Sequence, residues 1–256
     1  MPERTSYAAG TPSWIDLQTT DQAAAKQFYG ELFGWTFDDR PVDEQNVYSM
    51  ASIKGLDVAA ISGLGDQAAA GVPPHWNSYI SVDDVDATTA KVAPAGGTVF
   101  APPFDVMDAG RMSVIADPTG AVFELWQAKE NIGAKLVNEP GTFCWTELIT
   151  PDVPKAAAFY GEVLGWGAET TKGDQPYTEF KLGRESVAGG MNPPMAGMPA
   201  AWGIYFAVAD TDETVAKATA LGGSVVSPPM DIEPGRFAVL SDPQGAMFLV
   251  IKMKPA

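Results

Sequence analysis

The chain has 256 residues, enough for two ordinary domains, and 46% of them are hydrophobic, which suits packed cores. Its 32 acidic and 16 basic residues give a formal net charge of −16. This balance argues against nucleic acid and anionic membranes as partners, because phosphates are bound through clustered Lys and Arg. The single cysteine, Cys144, excludes an internal disulfide. No segment has the apolar length of a signal peptide or membrane span, so we expect a cytoplasmic protein.

The first elements follow one another as strand, helix and three strands. Residues 14–20 alternate in character, as a strand does. Asp21 is placed to cap a helix that bears an apolar stripe, and Gly34 is placed to end it. Short strands are then predicted at about 35–38, 47–53 and 57–62. The order β-α-β-β-β defines one unit.

A second unit of the same kind follows. Its strand is predicted at 77–82, and its helix begins after Asp84 and stops at Gly96-Gly97. Three more strands are predicted at about 98–100, 111–116 and 121–127. The turn Asp117-Pro118-Thr119-Gly120 separates the last two of them.

The whole pattern then repeats. The segment Trp14-Ile15-Asp16-Leu17 returns as Trp145-Thr146-Glu147-Leu148, and Phe28-Tyr29-Gly30-Glu31 returns as Phe159-Tyr160-Gly161-Glu162. A repeat this long is a whole domain rather than a solenoid repeat. We therefore predict an α+β protein with a first domain at 12–128, a linker at 129–141 and a second domain at 142–253.

The helix of a βαβββ unit covers only one face of its sheet. Two curved sheets that face each other form a cup with a lined cavity, which suits a small molecule. The sequence leaves the pairing of the four units open. Units one and two can close together, or unit one with four and two with three; the second arrangement would join Asn77 and Glu124 with Trp145 and Glu147.

The first strand, the helix ending Phe-Tyr-Gly-Glu-x-x-Gly-Trp and the Asp-Pro-x-Gly turn resemble the vicinal-oxygen-chelate superfamily of glyoxalase I, bleomycin-resistance proteins and extradiol dioxygenases. The resemblance covers roughly residues 12–253. It implies two tandem glyoxalase-like domains, with four βαβββ units forming cup-shaped sheets. It also implies a small organic metabolite or natural product as partner, bound by a monomer or homodimer. Such a fold does not fix the chemistry.

Metal-dependent members of that superfamily carry His or Gln on the first strand of a unit and Glu on the last. Glu124 matches the second of these positions, whereas Leu249 replaces it in the second half. Trp14 and Trp145 occupy the first-strand positions, and neither binds a metal. We therefore predict no metal and no cofactor. The remaining alternative is a magnesium or calcium site at which Asp16, Glu124 and Glu147 converge.

The candidate catalytic residues are three carboxylates on predicted cup faces. Asp16 and Glu147 lie two residues beyond Trp14 and Trp145, and strand alternation gives them the same face. Glu124 reaches the cup from the last strand of unit two. Burial against aromatic walls should raise their pKa values and suit them to proton transfer. The predicted ligand-binding residues are Trp14, Asn77, Tyr79, Trp126, Trp145, Tyr205, Arg111 and Arg236.

Three functions remain open. The preferred one is a metal-independent lyase or isomerase that acts on a carbonyl-containing metabolite. The second is a binding or drug-sequestration protein of bleomycin-resistance type, because tryptophans on the cup face suit planar or polycyclic ligands. The third is a metal-dependent glyoxalase. A purely structural role for Asp16 and Glu147 is the alternative to catalysis, with Arg111 and Arg236 neutralising their charges.

Overall fold

The computed structural model describes residues 2–44, 46–173 and 176–254. Within these residues the chain forms sixteen strands and five helices, and none of the helices combines the length and the apolar character needed to cross a membrane. The two halves repeat one arrangement, which confirms the predicted α+β class and the four βαβββ units.

The first half contains eight strands and three helices. Their bounds in chain order are β1 Pro12–Thr19, α1 Gln22–Phe33, β2 Thr36–Pro41, β3 Val47–Ile53, β4 Leu56–Gly63, α2 Asp66–Ala69, β5 His75–Ser81, α3 Val85–Val92, β6 Thr98–Val106, β7 Gly110–Ala116 and β8 Val122–Ala128.

The second half contains eight strands and two helices. Their bounds are β9 Phe143–Ile149, α4 Val153–Leu164, β10 Gly167–Thr170, β11 Tyr177–Leu182, β12 Glu185–Met191, β13 Ala201–Ala207, α5 Thr211–Ala220, β14 Ser224–Asp231, β15 Gly235–Ser241 and β16 Met247–Met253.

Each half is one continuous eight-stranded sheet. The strand orders are β2-β3-β4-β1-β5-β8-β7-β6 and β10-β11-β12-β9-β13-β16-β15-β14. The first strands of the two units in a half pair antiparallel at the centre of the sheet, as β1 with β5 and β9 with β13. Units one and two therefore share one cup, and units three and four share the other.

The helix ends follow from capping residues that the sequence displays. Asp21 accepts a hydrogen bond from the Ala24 amide at 3.0 Å, and Gly34 closes α1 at φ 77°. Asp152 caps α4 in the same way, and Gly165 ends it at φ 75°. A left-handed residue at this position favours glycine because it has no Cβ. The first long helix of each half thus begins and ends where the sequence predicts.

The edge strand β6 extends well beyond the strand predicted at 98–100, and β14 is its equivalent in the second half. Each contains a Pro-Pro pair, Pro102-Pro103 in β6, and each pairs with its neighbour through two register shifts. Proline lacks an amide donor and is tolerated on an edge strand at such irregularities. The prolines therefore interrupt the ladder locally without ending either strand.

The helices of each half pack against the other half. The Tyr29 hydroxyl on α1 donates to Asp242 at 3.1 Å and accepts from Trp76 Nε1 at 3.2 Å. On the other side of the interface, Tyr160 on α4 donates to Asp117 at 3.0 Å and accepts from Trp202 at 3.2 Å. The Phe-Tyr-Gly-Glu helices and the Asp-Pro-x-Gly turns therefore hold the two domains together. We call these two chains of bonds the Trp–Tyr–Asp relays.

Aromatic side chains fill the space around each relay. Phe206 of β13 lies 5.2 Å from Trp76 and 5.8 Å from Trp35, measured between ring centroids. Because neighbouring residues on a strand point to opposite faces, Asn77 and Tyr79 point away from the other domain. The same argument applies to Tyr205 beside Phe206. The two cups therefore face outward, on opposite sides of the interface.

We expect the loss of one relay hydroxyl to weaken the whole molecule. Tyr29→Phe leaves one oxygen of Asp242 without its partner, and Tyr160→Phe does the same to Asp117. Each variant should lower the free energy of unfolding by about 1–3 kcal/mol in urea denaturation. Glu31→Gln, on the exposed side of α1, is the control and should unfold like the unchanged protein. Tyrosine variants that match this control would show that the relays do not hold the domains together.

Candidate functional site

The first cup is organised around a buried carboxylate. Asp16 is only 2% exposed. Its Oδ2 accepts hydrogen bonds from the hydroxyls of Tyr48 and Tyr79, each at 2.8 Å, and its Oδ1 accepts one from the Asn77 amide at 2.9 Å. All three donors are neutral. Asp16 is therefore a buried acceptor that forms no ion pair among the described residues, although nearby His75 acts to lower its pKa.

Sheet register explains why these side chains meet. Asp16 on β1 lies opposite Asn77 on β5, and Trp14 lies opposite Tyr79. Tyr79 in turn lies beside Glu124 on β8. Residues that pair across strands share a face of the sheet, so the second carboxyl points into the same cup as Asp16.

Glu124 is the group in this cup that lacks a partner. It is 4% exposed, and its Oε2 is buried without a hydrogen bond among the described residues. Burial, reinforced by the negative charge of Asp16, raises the pKa of Glu124 well above the usual value for a carboxyl. A buried polar atom without a partner is rare and costly in a folded protein. This oxygen is accordingly the place where a ligand would gain a hydrogen bond.

The two carboxyls are tuned in different ways. Burial raises the pKa of Asp16, while the hydrogen bonds from Asn77, Tyr79 and Tyr48 oppose that rise. Glu124 has no donor of that kind from another side chain. Burial and the nearby Asp16 also raise the pKa values of both tyrosines well above normal, so their hydroxyls stay protonated. Three side-chain donors thus oppose the rise in the pKa of Asp16, and none opposes it at Glu124.

Two tryptophans border the first cup and are fixed by hydrogen bonds. Trp14 donates through Nε1 to the Tyr48 hydroxyl at 2.9 Å, which continues to Asp16. Trp126 donates to the carbonyl of Asn131 at 2.8 Å. The connecting segment that contains Asn131 therefore packs over one end of the cup. Part-exposed side chains remain at the mouth: Tyr48, Met112 and Val114, with the exposed Phe104 beyond them.

The second cup repeats this arrangement in a reduced form. Tyr205 donates to Glu147 Oε2 at 2.9 Å, and Trp145 donates to the Tyr177 hydroxyl at 3.1 Å. The Tyr177 hydroxyl also lies near Glu147. Burial raises the pKa of Glu147, and the two tyrosine hydroxyls oppose the rise. Leu249 lies beside Tyr205, where the first cup has Glu124. Among the described residues the second cup therefore has one buried carboxyl and lacks the buried pair of the first cup.

The structure excludes the alternative in which the three candidate carboxylates converge. Asp16 and Glu124 share the first sheet, whereas Glu147 lies in the second. The sheets face away from each other across the relays. A magnesium or calcium site built from all three is therefore wrong, as is the alternative cavity that joins Asn77 with Trp145.

Arg111 and Arg236 do not neutralise the cup carboxylates. Arg111 lies opposite Gln127 on β8, on the face that bears α3, and forms an ion pair with Asp86 at 2.8 Å. Arg236 is bound in the same way to Asp212, at 2.6 Å. Both arginines lie outside the cups and tie an outer strand to the first turn of a helix. Their matching positions in the repeats reflect this structural role, and the structure does not bring them together with the other predicted ligand-binding residues.

Sequence reasoning missed Tyr48 and Tyr177, the second hydroxyl donor of each cup. They lie on β3 and β11, two strands away from the first strand of each half. A signal was present in the sequence. Tyr48 lies near the start of β3 and Tyr177 at the start of β11, so each half has a tyrosine at an equivalent position. Only the sheet order shows that these strands curve back over the carboxylates.

The residues of the cups do not fit a transition metal. Among residues 2–44, 46–173 and 176–254, no group of three or more His, Cys, Asp and Glu side chains is close enough to hold an ion. The oxygens of Asp16 are already bound by three donors that point toward it. His75 begins β5, and its Nδ1 lies 2.8 Å from the Pro73 carbonyl oxygen. A single carboxyl with an open oxygen is a poor substitute for the several N and O ligands that such metals require.

Two surface clefts lie away from both cups. One, of about 280 Å³, is bordered by the start of α4 and by Thr170 and Thr178. The other, of about 410 Å³, lies between α3, Gly10 and the end of α4. Neither is lined by a buried carboxyl. The cups contain buried carboxyls that lack a hydrogen-bond partner or an ion pair within the described part of the chain. They are therefore the stronger candidates for a catalytic or binding site.

Several known proteins are similar to this chain over nearly all of its residues. The protein named "Putative glyoxylase CFP32" in Mycobacterium tuberculosis is 55% identical over 259 residues, covering 100% of this chain and 99% of the relative. The protein of that name in Mycobacterium bovis is equally similar. "Anthracycline biosynthesis protein DnrV" of Streptomyces peucetius is 38% identical over 265 residues, covering 98% and 96%.

Solved structures show the same fold at low identity. The Mn(II)-bound glyoxalase from Novosphingobium aromaticivorans superposes with a TM-score of 0.67 at 15% identity, covering 95% of this chain and 82% of that one. The 2,3-dioxygenase LapB from Pseudomonas sp. KL28 gives 0.67 at 15% identity, covering 98% and 94%. Residues 11–125 and 142–250 each match the Glyoxalase/Bleomycin resistance protein/Dioxygenase superfamily. Together with the two cup-shaped sheets, these matches show that the chain belongs to this superfamily.

Proposed function

We propose that the first cup is a metal-independent acid–base site for a planar, carbonyl-containing metabolite, and that the protein acts as an isomerase or lyase. The observation that carries the proposal is the buried pair of carboxyls, Asp16 and Glu124. One of them is supplied with hydrogen-bond donors, and the other has a free oxygen. Carboxyl pairs whose surroundings separate their pKa values supply one base and one acid at the same pH.

The hydrogen bonds assign the two roles. An ionised carboxylate has about four lone-pair sites, and three of those on Asp16 are taken by Tyr48, Tyr79 and Asn77. One site on Oδ1 remains for a proton. Glu124 keeps its proton because burial and the Asp16 charge disfavour its ionisation. Asp16 is therefore the base, and Glu124 is the acid.

The reaction follows from these protonation states. Asp16 removes a proton from the carbon beside the substrate carbonyl, and the C–H electron pair becomes the new C=C bond. The carbonyl π pair takes the proton of Glu124, which gives an enol. If the enol is conjugated with a further C=C bond, Asp16 returns its proton to the far carbon of the diene and Glu124 recovers the enol hydroxyl proton as the C=O bond re-forms, which completes an isomerisation. If the β carbon bears a leaving group, the enol C=C pair moves to the α–β bond and expels it, Glu124 recovers the hydroxyl proton as the C=O bond re-forms, and the proton on Asp16 goes to the leaving group, which completes an elimination. Positioned acid–base pairs of this kind contribute about 100- to 10,000-fold to a rate.

The shape of the cup favours a flat ligand. Trp14, Tyr79 and Trp126 line one side, with Tyr79 and Trp126 arranged edge to face at 6.3 Å. Aromatic walls bind planar molecules over a large contact area. The names of relatives in two Streptomyces strains refer to anthracycline biosynthesis, and anthracyclines are polycyclic aromatic compounds. This supports a polycyclic natural product as the class of ligand.

Sequestration without catalysis is the second candidate, and the tryptophans of both cups favour it. Trp14 and Trp126 in the first cup and Trp145 in the second would contact such a ligand without help from a carboxyl. The two functions differ in their dependence on Glu124, because stacking needs no proton.

Proton transfer is tested by hydrogen–deuterium exchange at carbon. In D₂O with EDTA, we expect the protein to exchange the protons beside the carbonyl in a panel of aryl ketones that begins with 1-tetralone. Glu124→Gln and Asp16→Asn should each lower the exchange rate by about 100-fold or more, as followed by NMR. Glu162→Gln, which removes a charge from the exposed face of α4, is the matched control. Exchange at the unchanged rate in Glu124→Gln would exclude an acid role for this residue.

Ligand binding is tested by tryptophan fluorescence. Quenching by polycyclic quinones, with Glu124→Gln binding as tightly as the unchanged protein and no ketone exchange by either, is the result expected for sequestration. If Trp14→Phe and Trp126→Phe also bind the quinones with unchanged affinity, the first cup is not where these ligands bind.

The raised pKa of Glu124 predicts a pH-dependent stability. The folded protein holds this proton more tightly than the unfolded chain, so its stabilising effect is full below the usual pKa of 4.5 and is lost as the pH rises through the raised value. Glu124→Gln cannot ionise. The melting temperature of this variant should therefore rise relative to the unchanged protein as the pH increases from about 5 to about 9. A difference that stays constant over this range would mean that Glu124 is not buried beside a charge.

A further inference from the structure

The second cup is more than an incomplete copy of the first. Glu147 on β9 lies between Gly189 on β12 and Gly203 on β13. Tyr205 lies between Trp145 and Leu249. All of these residues share the outward face of the second sheet. The floor of this cup is thus one carboxyl surrounded by aromatic and small residues.

Three changes separate the two cups. By sheet register, Gly189 stands where the first cup has Ala60, Gly203 where it has Asn77, and Leu249 where it has Glu124. The second acid and the amide donor are both gone. Among the described residues, Tyr205 is the side chain that donates a hydrogen bond to Glu147. Glu179 shares this face through its pairing with Gly189, but it is partly exposed and bound to Ser186 and Lys181, so it is no buried acidic partner.

Gly189 lets a ring close over the carboxyl. A Cβ at this position would lie 2.0 Å from the Tyr177 hydroxyl oxygen and 3.0 Å from Trp145 Nε1. The absent side chain leaves room for the Tyr177 hydroxyl to lie against β12 and accept the hydrogen bond from Trp145. Tyr205 and Phe237, with centroids 6.3 Å apart, continue the aromatic wall on the other side. The carboxyl thus lies at the base of an aromatic enclosure.

The charge of Glu147 has no counterpart among the described residues. Glu147 is 6% exposed and forms no ion pair there. Lys181, which projects from the same face of β11, is bound to Glu169 and Glu179. Buried charges are normally paired with an opposite charge. A protonated N–H group would supply this pairing, and aromatic faces stabilise the same ion through cation–π contact.

The enclosure is open to solvent on one side. Trp145, Tyr177 and Leu249 are all only partly buried, although they project from the cup face. The net charge of −16 also raises the local concentration of cations near the protein. A positively charged ligand can therefore approach and reach the carboxyl.

We propose that the second cup is a binding site for a planar cationic heteroaromatic amine, whose protonated N–H group is held by Glu147 between the rings of Trp145, Tyr177 and Tyr205. The site binds its ligand without transforming it, because Leu249 replaces the acid of the first cup. The site is independent of the proposed chemistry at Asp16 and Glu124. It gives the protein two different small-molecule sites, one on each side.

Binding is tested with two probes of nearly the same shape. 9-Aminoacridine is a cation at neutral pH, and acridine is neutral. Calorimetry with the whole protein should show one 9-aminoacridine site that is about tenfold weaker in Glu147→Gln. Acridine should bind more weakly and with equal affinity to both proteins. Equal binding of 9-aminoacridine to Glu147→Gln and the unchanged protein would overturn the proposal.

Two controls distinguish binding in the second cup from surface attraction and from binding in the first cup. Glu162→Gln removes one exposed charge and should leave 9-aminoacridine binding unchanged; an equal loss in this variant would show general surface attraction instead. Glu124→Gln should also leave it unchanged, since its cup faces the other side; a loss there would place the amine in the first cup.

A second variant tests the location by shape alone. Leu249→Trp fills the cup without changing its charge and should abolish 9-aminoacridine binding, while ketone exchange at the first cup persists. Unchanged amine binding in Leu249→Trp would contradict the assigned site. Circular dichroism and melting temperature establish that each variant is folded before its affinity is compared.

Discussion

The two Trp–Tyr–Asp relays are the constraint on which the rest of the structure depends. Each tyrosine is fully buried, donates to an aspartate of the other domain and accepts from a tryptophan of its own. This fixes the helix-bearing faces against each other. Both cups must then open outward, and the carboxyls of one half cannot meet those of the other. The positions of the two candidate sites are thus decided by hydrogen bonds that lie outside them.

Much of the fold was readable from the sequence because local rules act strongly here. Asp21 and Gly34 mark the ends of α1, and strand alternation places Asp16 and Glu124 on the cup face. Pairing between units was not readable, because either arrangement buries the same helical stripes. That ambiguity left open whether Glu147 would share a site with Asp16 and Glu124. The recurrence of Arg111 and Arg236 was misleading for another reason: a repeated residue preserves architecture as readily as function, and these two hold helices α3 and α5.

The two halves share the same fold but differ in some of the side chains that line their cups. Both retain the tryptophan, the two tyrosines and a central carboxyl. They differ at the positions of Asn77 and Glu124, which are Gly203 and Leu249 in the second half. Loss of one acid leaves a single buried carboxyl where the first cup has two. Under the functions proposed above, two substitutions on adjacent strands are enough to separate a proton-transfer site from one that only binds its ligand.

The contacts that the helices of each half make with the other half also bear on the origin of the chain. Tyr29 finds its acceptor in the Asp242 turn of the opposite repeat, and Tyr160 finds its own in the Asp117 turn. A single repeat with these motifs would leave its tyrosine and its aspartate without partners on an aromatic surface exposed to water. A one-repeat ancestor would thus have been obliged to assemble as a symmetric pair of identical subunits. Fusion of its gene copies would then have released each side to evolve a ligand of its own.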